Sequence, residues 1–334
     1  MGKWDRLRAL MRPPQGTLRY VCLLLALGCR GAGPPQGDEG SPMGADTASA
    51  TRPSNGEPTS VEIVDVDLRL FEGATVHVTR LAGIATSVRS GEPVALDDNR
   101  AYRIDVTGAE TWIGWPDLSA ILNEYTFAFD EAPVGDLEIS REEDEDQRDQ
   151  VELKGDLENV LGLRFEIEGR PEVTPDGRIR IRTTSVQALD IPVGGLMHAL
   201  GLDAADLMGN LEERGIAFDG DDLILDASRA FPPPRMSGRV AAVRVEEGGL
   251  AITLGDPGAA PRTGRVNHLW FQGGTIRIGR MTQTDADLRI VDQDPSDAFD
   301  FFSERMTRQL AAGYAKLRLD GGLTMFVPDY DDIR

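Results

Sequence analysis

Residues 61–70 read VEIVDVDLRL, and from Val64 to Leu70 every second side chain is apolar. The residues between them are Asp or Arg, so one face of the segment is charged. An apolar period of two is typical of a β-strand with one buried face. The stretches TVHV (75–78) and YRIDV (102–106) continue this pattern. We therefore predict that ordered structure begins with an antiparallel sheet that has one solvated face.

The apolar period changes to that of a helix after Pro116 and Asp117. Apolar side chains then recur at positions i, i+3, i+4 and i+7, which places them on one helix face. They are Leu118, Ile121, Leu122 and Tyr125. Large aromatic side chains precede and follow this short helix, namely Trp112, Trp115, Phe127 and Phe129. We expect the helix and these side chains to form one apolar cluster.

A second helical pattern extends from Val193 to Gly215, where Asp203 can cap a helix and Gly215 can end one. Its apolar positions are Leu196, Met197, Leu200, Leu207, Met208 and Leu211. A single histidine, His198, lies in this segment, and a lone helical histidine is more often bonded locally than catalytic. Such stripes usually pack in a core, but methionine also suits surfaces that adapt to variable apolar ligands.

Turn residues between alternating strands predict further hairpins. Pro-Asp-Gly lies within VTPDGRIRI (173–181), and Gly248-Gly249 separates two further strand patterns. The run SREEDEDQRD (140–149) is interpreted as a solvated hairpin tip or loop. A calcium-binding loop would need ligands at fixed offsets around a glycine, and this run contains no glycine.

Residues 261–334 are expected to form a smaller C-terminal unit. Asp294-Pro295-Ser296 is typical of a helix start, and Gly313 of a helix end. The apolar stripe of this predicted helix comprises Phe299, Phe302, Met306 and Leu310. Strand patterns precede it, and Leu323–Val327 is the last predicted strand. Four acids are interpreted as a solvated strand face rather than as metal ligands, and they are Asp285, Asp287, Asp292 and Asp294.

The composition excludes several functions. The chain has 334 residues and a formal net charge of −21. This charge repels phosphate backbones, so we predict no nucleic-acid partner, whereas it does not oppose contact with apolar lipid chains. The sequence has no nucleophile elbow, H-E-x-x-H, Walker or dinucleotide-binding motif. We therefore predict no cofactor, no metal and no enzyme activity, with a carboxylate-dependent hydrolase as the alternative.

The N-terminal segment has the features of an export signal. Five basic residues precede the apolar run YVCLLLAL (20–27), which is too short to span a bilayer as a helix. The run ends in LALGC (25–29), which resembles the lipobox of bacterial lipoproteins. The resemblance implies a signal peptide over residues 1–29, in which Cys29 is acylated and becomes the mature N-terminus. The alternative is a hydrophobic first helix of a cytosolic domain.

Residues 30–60 are rich in Gly, Pro and Ser and lack apolar periodicity, so they cannot bury enough surface to fold. We interpret them as a flexible tether between the anchor and the domain that follows. An ordinary disordered N-terminus would have the same composition. Cys22 and Cys29 are the only cysteines, which excludes disulfides and a catalytic cysteine from the body of the chain.

The order of strands and short helices resembles the tubular lipid-binding (TULIP-like) superfamily and its bacterial envelope lipoproteins. The segments that carry this resemblance are LSAILNEYTFAF (118–129), VTPDGRIRI (173–181) and IPVGGLMHALGL (191–202). The resemblance implies an α+β fold, in which a long, curved antiparallel β-sheet wraps around short helices and leaves an apolar groove for acyl chains. The lipid-binding domain would span residues 61–260, and residues 261–334 would add strands and an amphipathic helix.

Three hypotheses on function follow. The first is an envelope lipoprotein, exported and held on the bacterial membrane by its N-terminal lipid, that binds a lipid or another hydrophobic ligand for transport or envelope maintenance. The second is a structural or scaffolding envelope lipoprotein with a filled core, and the third is the hydrolase. The candidate lining of the groove is Trp112, Trp115, Leu118, Ile121, Leu122, Phe127, Phe129, Leu196, Met197, Leu200, Leu207 and Met208.

We predict that the Cys29→Ser variant loses its membrane anchor, because serine has no thiol to accept the lipid. The body should move from the membrane fraction to the soluble fraction, in an unprocessed or alternatively cleaved form. Fractionation and intact-mass measurement check this prediction. If the variant keeps the mass and the membrane fractionation of the parent chain, Cys29 is not the anchor.

Overall fold

The computed structural model describes residues 57–130, 132–143, 149–157, 163–188, 191–192, 211–259 and 267–334. In this part of the chain most residues lie in β-strands, the pairs are mainly antiparallel, and the helices are few and short. This agrees with the predicted α+β class. No helix of the described residues has both the length and the apolar content to cross a membrane.

The strands of the N-terminal half are β1 (Thr59–Phe71), β2 (Ala74–Ser87), β3 (Val94–Ala95), β4 (Tyr102–Gly114), β5 (Val134–Glu143), β6 (Asp149–Leu157), β7 (Leu163–Val173), β8 (Ile179–Ala188) and β9 (Ile191–Pro192). Those that follow are β10 (Ile216–Asp219), β11 (Asp222–Leu225), β12 (Arg235–Ser237), β13 (Val240–Glu246), β14 (Gly249–Gly255), β15 (His268–Gln272), β16 (Thr275–Ile278), β17 (Met281–Thr284), β18 (Asp287–Asp292), β19 (Phe299–Phe302), β20 (Tyr314–Leu317) and β21 (Leu323–Val327). The helices are α1 (Trp115–Ile121), which continues into a π-helical turn (Leu122–Thr126), α2 (Ala227–Ala230) and α3 (Met306–Ala312). Short 3₁₀ turns occur at Pro257–Ala259, Ser303–Arg305 and Asp331–Ile333.

The largest sheet has eleven strands, and β1 lies near its middle. Its main path runs β13-β14-β4-β2-β1-β15-β18-β21-β20, while β12 pairs with β4 and β19 pairs with β1. Strand β1 is antiparallel to β2 on one edge and to β15 on the other. Strands from both sides of the predicted 260/261 boundary therefore share one sheet.

The alternation in residues 61–70 is confirmed as a strand with one buried face, and one residue interrupts it. Asp65 has a left-handed backbone (φ 54°), a conformation that Asp tolerates better than most residues. At this point β1 changes partner, because the last pair with β15 is Val64–His268 and the first pair with β19 is Val66–Phe299. The interruption allows Ile63 and Val64, neighbours in sequence, to be buried together.

A second sheet has seven strands in the order β10-β11-β8-β7-β6-β5, with β9 paired to β8. The hairpin predicted around Pro-Asp-Gly is confirmed as β7–β8, and that at Gly248 as β13–β14. At the turn of β7–β8, Gly177 has φ +82°, which side-chain-bearing residues rarely adopt. The charged run of residues 140–149 lies at the ends of the paired strands β5 and β6, and residues 144–148 fall outside the described part.

The core lies where the apolar faces of these two sheets meet. Buried Val151 and Ile179 of the seven-stranded sheet belong to the same apolar cluster as Leu81, Ile113 and Phe299 of the eleven-stranded sheet. A small third sheet, in the order β17-β16-β3, adds Ile276 to this cluster. The two large sheets thus cover part of each other's apolar faces.

The prediction of the C-terminal helix is wrong for the first half of that helix. Residues Phe299–Phe302 form β19, parallel to β1, and α3 begins only at Met306 after the 3₁₀ turn. The open edge of β1 after Val64 offers backbone hydrogen bonds, and aromatic side chains favour strands, so pairing prevails over the helical spacing. The end of the helix at Gly313 and the last strand, Leu323–Val327, are confirmed.

Gln309 of α3 joins three parts of the C-terminal segment. Its side chain is 0% exposed, and its Oε1 accepts a hydrogen bond from the backbone N–H of Phe302 at 3.1 Å. Its Nε2 donates to the carbonyl oxygens of Asp300 (2.7 Å) and Pro328 (2.9 Å). Both ends of the amide therefore bond backbone groups of β19 and of the segment after β21, and the Asp300 carbonyl also accepts from the N–H of Tyr330 at 3.1 Å.

We predict that Gln309→Leu lowers the free energy of unfolding by about 2–5 kcal/mol, because the N–H of Phe302 and the carbonyl of Pro328 lose their partner in a buried place. Chemical denaturation at equilibrium measures this loss. Gln272→Leu, at an exposed position at the end of β15, serves as the matched control and should change stability little. Equal effects of the two substitutions would show that the amide of Gln309 has no special role.

Candidate ligand-binding site

An apolar cavity of about 130 Å³ lies between the seven-stranded sheet, α1 with its π-helical turn, and β14. Leu118, Ile121 and Leu122 face it from the helix, and Leu250 and Ile252 from β14. Side chains of β5 to β8, β10 and β11, together with Ala227 and Ala230 of α2 and residues that flank these elements, form its remaining described walls. Because these walls belong to different parts of the chain, the cavity exists only in the folded domain.

The wall of this cavity offers no free polar group among its described residues. Only Thr126 and Thr183 have polar side chains there, and both hydroxyls donate hydrogen bonds to backbone carbonyls. Thr126 Oγ1 lies 3.1 Å from the carbonyl oxygen of Ala230, and Thr183 Oγ1 lies 2.6 Å from that of Asp221. A polar molecule would lose its hydrogen bonds to water without replacement, so the cavity favours an apolar occupant.

A second cavity of about 90 Å³ lies against the eleven-stranded sheet. Its walls include Leu68 of β1 and Val76 of β2, and the segment that follows α2 covers it with Pro232 and Met236. Three residues line both cavities, and they are Ala227, Phe231 and Ile252. The ring of Phe231 therefore lies at the boundary between the two cavities, which are adjacent spaces in one apolar layer.

Polar side chains of α1 fix it to the edge of the seven-stranded sheet. In the π-helical turn, Asn123 Oδ1 accepts a hydrogen bond from the N–H of Leu137 at 2.8 Å, and Asn123 Nδ2 donates to the carbonyl oxygen of Leu137 at 2.7 Å. The backbone of a neighbouring strand would make the same two bonds. Ser119 Oγ accepts from the N–H of Ile139 at 3.0 Å. Edge strand β5 is thus covered, and the apolar face of the helix is turned towards the cavity.

The helix begins and ends with specific interactions. Pro116 occupies its first turn, and Asp117 accepts a hydrogen bond from the N–H of Thr75 at 2.8 Å. At its C-terminal end the π-helical turn closes with a hydrogen bond from Phe127 N–H to Leu122 O (2.8 Å). π-Helical turns are rare and occur often at functional sites, and this one brings Leu122 and Phe127 into the cavity wall.

Arg214 satisfies the carbonyl groups at the end of the π-helical turn. Its guanidinium donates to the carbonyl oxygens of Tyr125 (2.6 Å) and Thr126 (3.2 Å). The same guanidinium lies 4.7 Å from the ring centroid of Phe129. Arg214 therefore holds both the helix end and the aromatic residue that follows it.

Four of the predicted lining residues face the larger cavity, namely Leu118, Ile121, Leu122 and Phe127. Neither cavity is lined by Trp112, Trp115 or Phe129. The Trp112 ring packs on the glycines of the β13–β14 hairpin, and the Trp115 indole N–H donates to the carbonyl of Glu247 at 3.0 Å. The other five predicted residues lie outside the described part of the chain, and they are Leu196, Met197, Leu200, Leu207 and Met208.

The sequence interpretation missed the strand side of the cavity. Phe165 and Ile167 of β7 and Phe218 of β10 contribute large side chains to its wall. The apolar alternation in RFEIE (164–168) was a usable signal, since it marks which side chains share a buried face. It does not indicate that this face is turned towards α1, because that depends on the packing of the two sheets.

The interpretation of four C-terminal acids as a solvated strand face is wrong for one of them. Asp285 and Asp294 are exposed, and Asp287 accepts a hydrogen bond from the Trp270 indole N–H at 2.7 Å. Asp292, however, is only 3% exposed. Burial raises its pKa to about 6, against the hydrogen bond from the N–H of Asp294, which lowers it.

Comparisons of this chain with models of known protein families, with curated proteins and with solved structures found no match. The function has to be inferred from the geometry of the chain itself.

We predict that Arg214→Met lowers the free energy of unfolding by about 1–3 kcal/mol, because two carbonyls lose a charged donor. Amide hydrogen exchange in residues 122–127 should accelerate, since the π-helical turn opens more often. Arg229→Met is the control, because Arg229 is exposed and its ion pair with Asp226 spans 3.6 Å. The assigned role of Arg214 is refuted if both variants exchange and unfold alike.

Proposed function

We propose that this chain is an exported envelope lipoprotein, anchored through Cys29, that binds a hydrophobic ligand in the apolar cavity between its sheets. The observation that carries the proposal is a cavity whose two described hydroxyl groups are both bonded to the backbone. Apolar pockets that lack polar groups bind by burying apolar surface, at about 0.8 kcal/mol per CH₂. The net charge of −21 does not oppose this mode of binding.

The size of the cavities limits what they hold. A dry apolar cavity of roughly 150 Å³ accommodates a molecule such as benzene, and the larger cavity here has about 130 Å³. It therefore fits a compact apolar molecule or the end of an acyl chain. A longer chain would need both cavities, which share Ala227, Phe231 and Ile252 as lining residues.

The same proposal extends to the fold family and the location. We propose that the domain is a TULIP-like lipid-binding domain, in which the sheet curves around α1. The membrane anchor and the tether would place this domain at the envelope surface, outer membrane or periplasmic face, where its ligand is a membrane lipid. Transport or envelope maintenance would be the task of such a domain.

The second candidate function is a structural envelope lipoprotein without a ligand. It is favoured by the extent of the packed core, since many apolar residues of the eleven-stranded sheet, and Leu137 and Leu157 of the seven-stranded sheet, are buried outside the cavities. An enzyme is a weaker candidate, because neither apolar cavity has an Asp or Glu among its described lining residues. Ligand content separates the binding protein from the structural protein.

We predict that the full chain with Cys29→Ser yields a lipid when it is purified without detergent, extracted with organic solvent and analysed by mass spectrometry. It should also bind a fluorescent fatty acid. Val151→Phe, which adds a ring to the cavity wall, should weaken this binding by about tenfold or more. Because the cavity has space for part of the ring, the ligand-free variant should keep the circular dichroism spectrum of its parent.

Val88→Phe is the control for the added ring, since Val88 is 54% exposed and outside both cavities. It should bind the fatty acid as the parent does. Absence of extracted lipid, together with equal binding by the two Phe variants, would reject the ligand-binding function and favour the structural one.

A further inference from the structure

Three acids meet at the ends of two parallel strands, away from the apolar cavities. Strands β18 and β21 are parallel, and Asp292 at the end of β18 is paired with Val327 at the end of β21. Asp329 follows β21 by two residues, and Asp297 lies in the connection between β18 and β19. Chain segments that leave the same end of parallel strands converge, which explains why acids distant in sequence meet.

The carboxylates are close enough to share one ion. Asp292, Asp297 and Asp329 each offer a carboxylate oxygen, and these oxygens all lie within 4.8 Å of one another. Ligands on opposite sides of a Ca²⁺ ion, at about 2.4 Å from it, are about 4.8 Å apart. Asp297 is exposed, Asp329 is half-buried and Asp292 is buried, so the cluster has one side open to solvent.

The second observation is an unpaired buried oxygen on Asp292, the buried member of this cluster. Asp292 Oδ1 accepts a hydrogen bond from the N–H of Asp294 at 2.8 Å. Its Oδ2 is buried and has no hydrogen-bond partner among the described residues. A buried carboxylate oxygen without a partner is costly, and a bound cation is one of the few groups that remove this cost.

The three carboxylates of the cluster carry charge of one sign, and the neighbouring Asp300 is paired with Arg69 at 2.9 Å. Further acids lie next to the cluster, since the N–H of Asp294 bonds Asp292 and the N–H of Asp300 bonds Asp329. Mutual repulsion of carboxylates and desolvation are both relieved by a divalent cation.

Neighbouring groups hold the acids in place. Asp329 Oδ1 accepts from the N–H of Asp300 at 2.8 Å. The side-chain amide of Asn267, which is itself buried, donates to the carbonyl oxygen of Asp297. The first contact orients the Asp329 carboxylate, and the second holds the backbone of Asp297, as groups around a cation site usually do.

We infer that Asp292, Asp297 and Asp329 bind a hard divalent cation of the size of Ca²⁺. Three carboxylate oxygens form a donor set for such an ion, whereas Mg²⁺ more often takes one or two carboxylates and keeps several waters. The bound ion would connect the β18–β19 connection to the segment after β21. This inference is independent of the apolar cavities and of any ligand in them.

The test uses the full chain with Cys29→Ser, stripped of metal by a chelator. Calcium chloride at about 1–10 mM should raise its thermal unfolding midpoint by about 5 °C or more, and calorimetry should show one site. Magnesium chloride at the same concentration should raise the midpoint less. Asp297→Asn, at an exposed position, should remove most of the calcium-dependent rise.

Asp292→Asn separates a cation ligand from a merely structural acid. The amide oxygen can still accept from Asp294 N–H, so the chelated variant should be as stable as its parent or more so, while its response to calcium disappears. Asp332→Asn, which removes an exposed charge from the same terminal segment, should respond to calcium as the parent does. The inference fails if neither cation shifts the midpoint of the parent, or if Asp297→Asn and Asp292→Asn respond like Asp332→Asn.

Discussion

The two large sheets each have an apolar face that must be covered, and mutual coverage is the constraint on which the rest of the fold depends. The cluster that joins Val151 and Ile179 to the eleven-stranded sheet shows where this coverage is achieved. Where it is incomplete, α1 and the segment after α2 fill part of the gap and leave the two cavities between them. The candidate site is therefore a property of the core itself rather than an addition to its surface.

Local features of the fold could be predicted from the sequence because their causes are local. A period of two identified β1, turn residues identified the β7–β8 and β13–β14 hairpins, and helical spacing identified α1. The choice of the strand with which a segment pairs is not determined by the local sequence. Residues Phe299–Phe302 fit a helical stripe equally well, and only the open edge of β1 makes them a strand.

The candidate site was predictable on its helical side and not on its strand side. The stripe of Leu118, Ile121 and Leu122 determines which face of α1 is apolar, and that face does line the larger cavity. The indoles of Trp112 and Trp115 were misplaced because their position depends on the β13–β14 hairpin, which packs beside them from far along the chain. Burial of Asp292 likewise follows from strand pairing and not from its neighbours in sequence.

The pairing of β1 has a consequence for the order of folding. Val61 pairs with Phe271, and Val66 with Phe299, so one edge of this strand has no native partner until the C-terminal strands have been synthesised. Closing such long loops is slow compared with forming hairpins, and β-rich chains with distant contacts fold in about milliseconds to seconds. During that interval a long apolar strand has an open edge, and strands of other chains can pair with that edge. A chain with this topology needs protection from aggregation during synthesis, and loss of its last strands would remove the protection that the finished sheet provides.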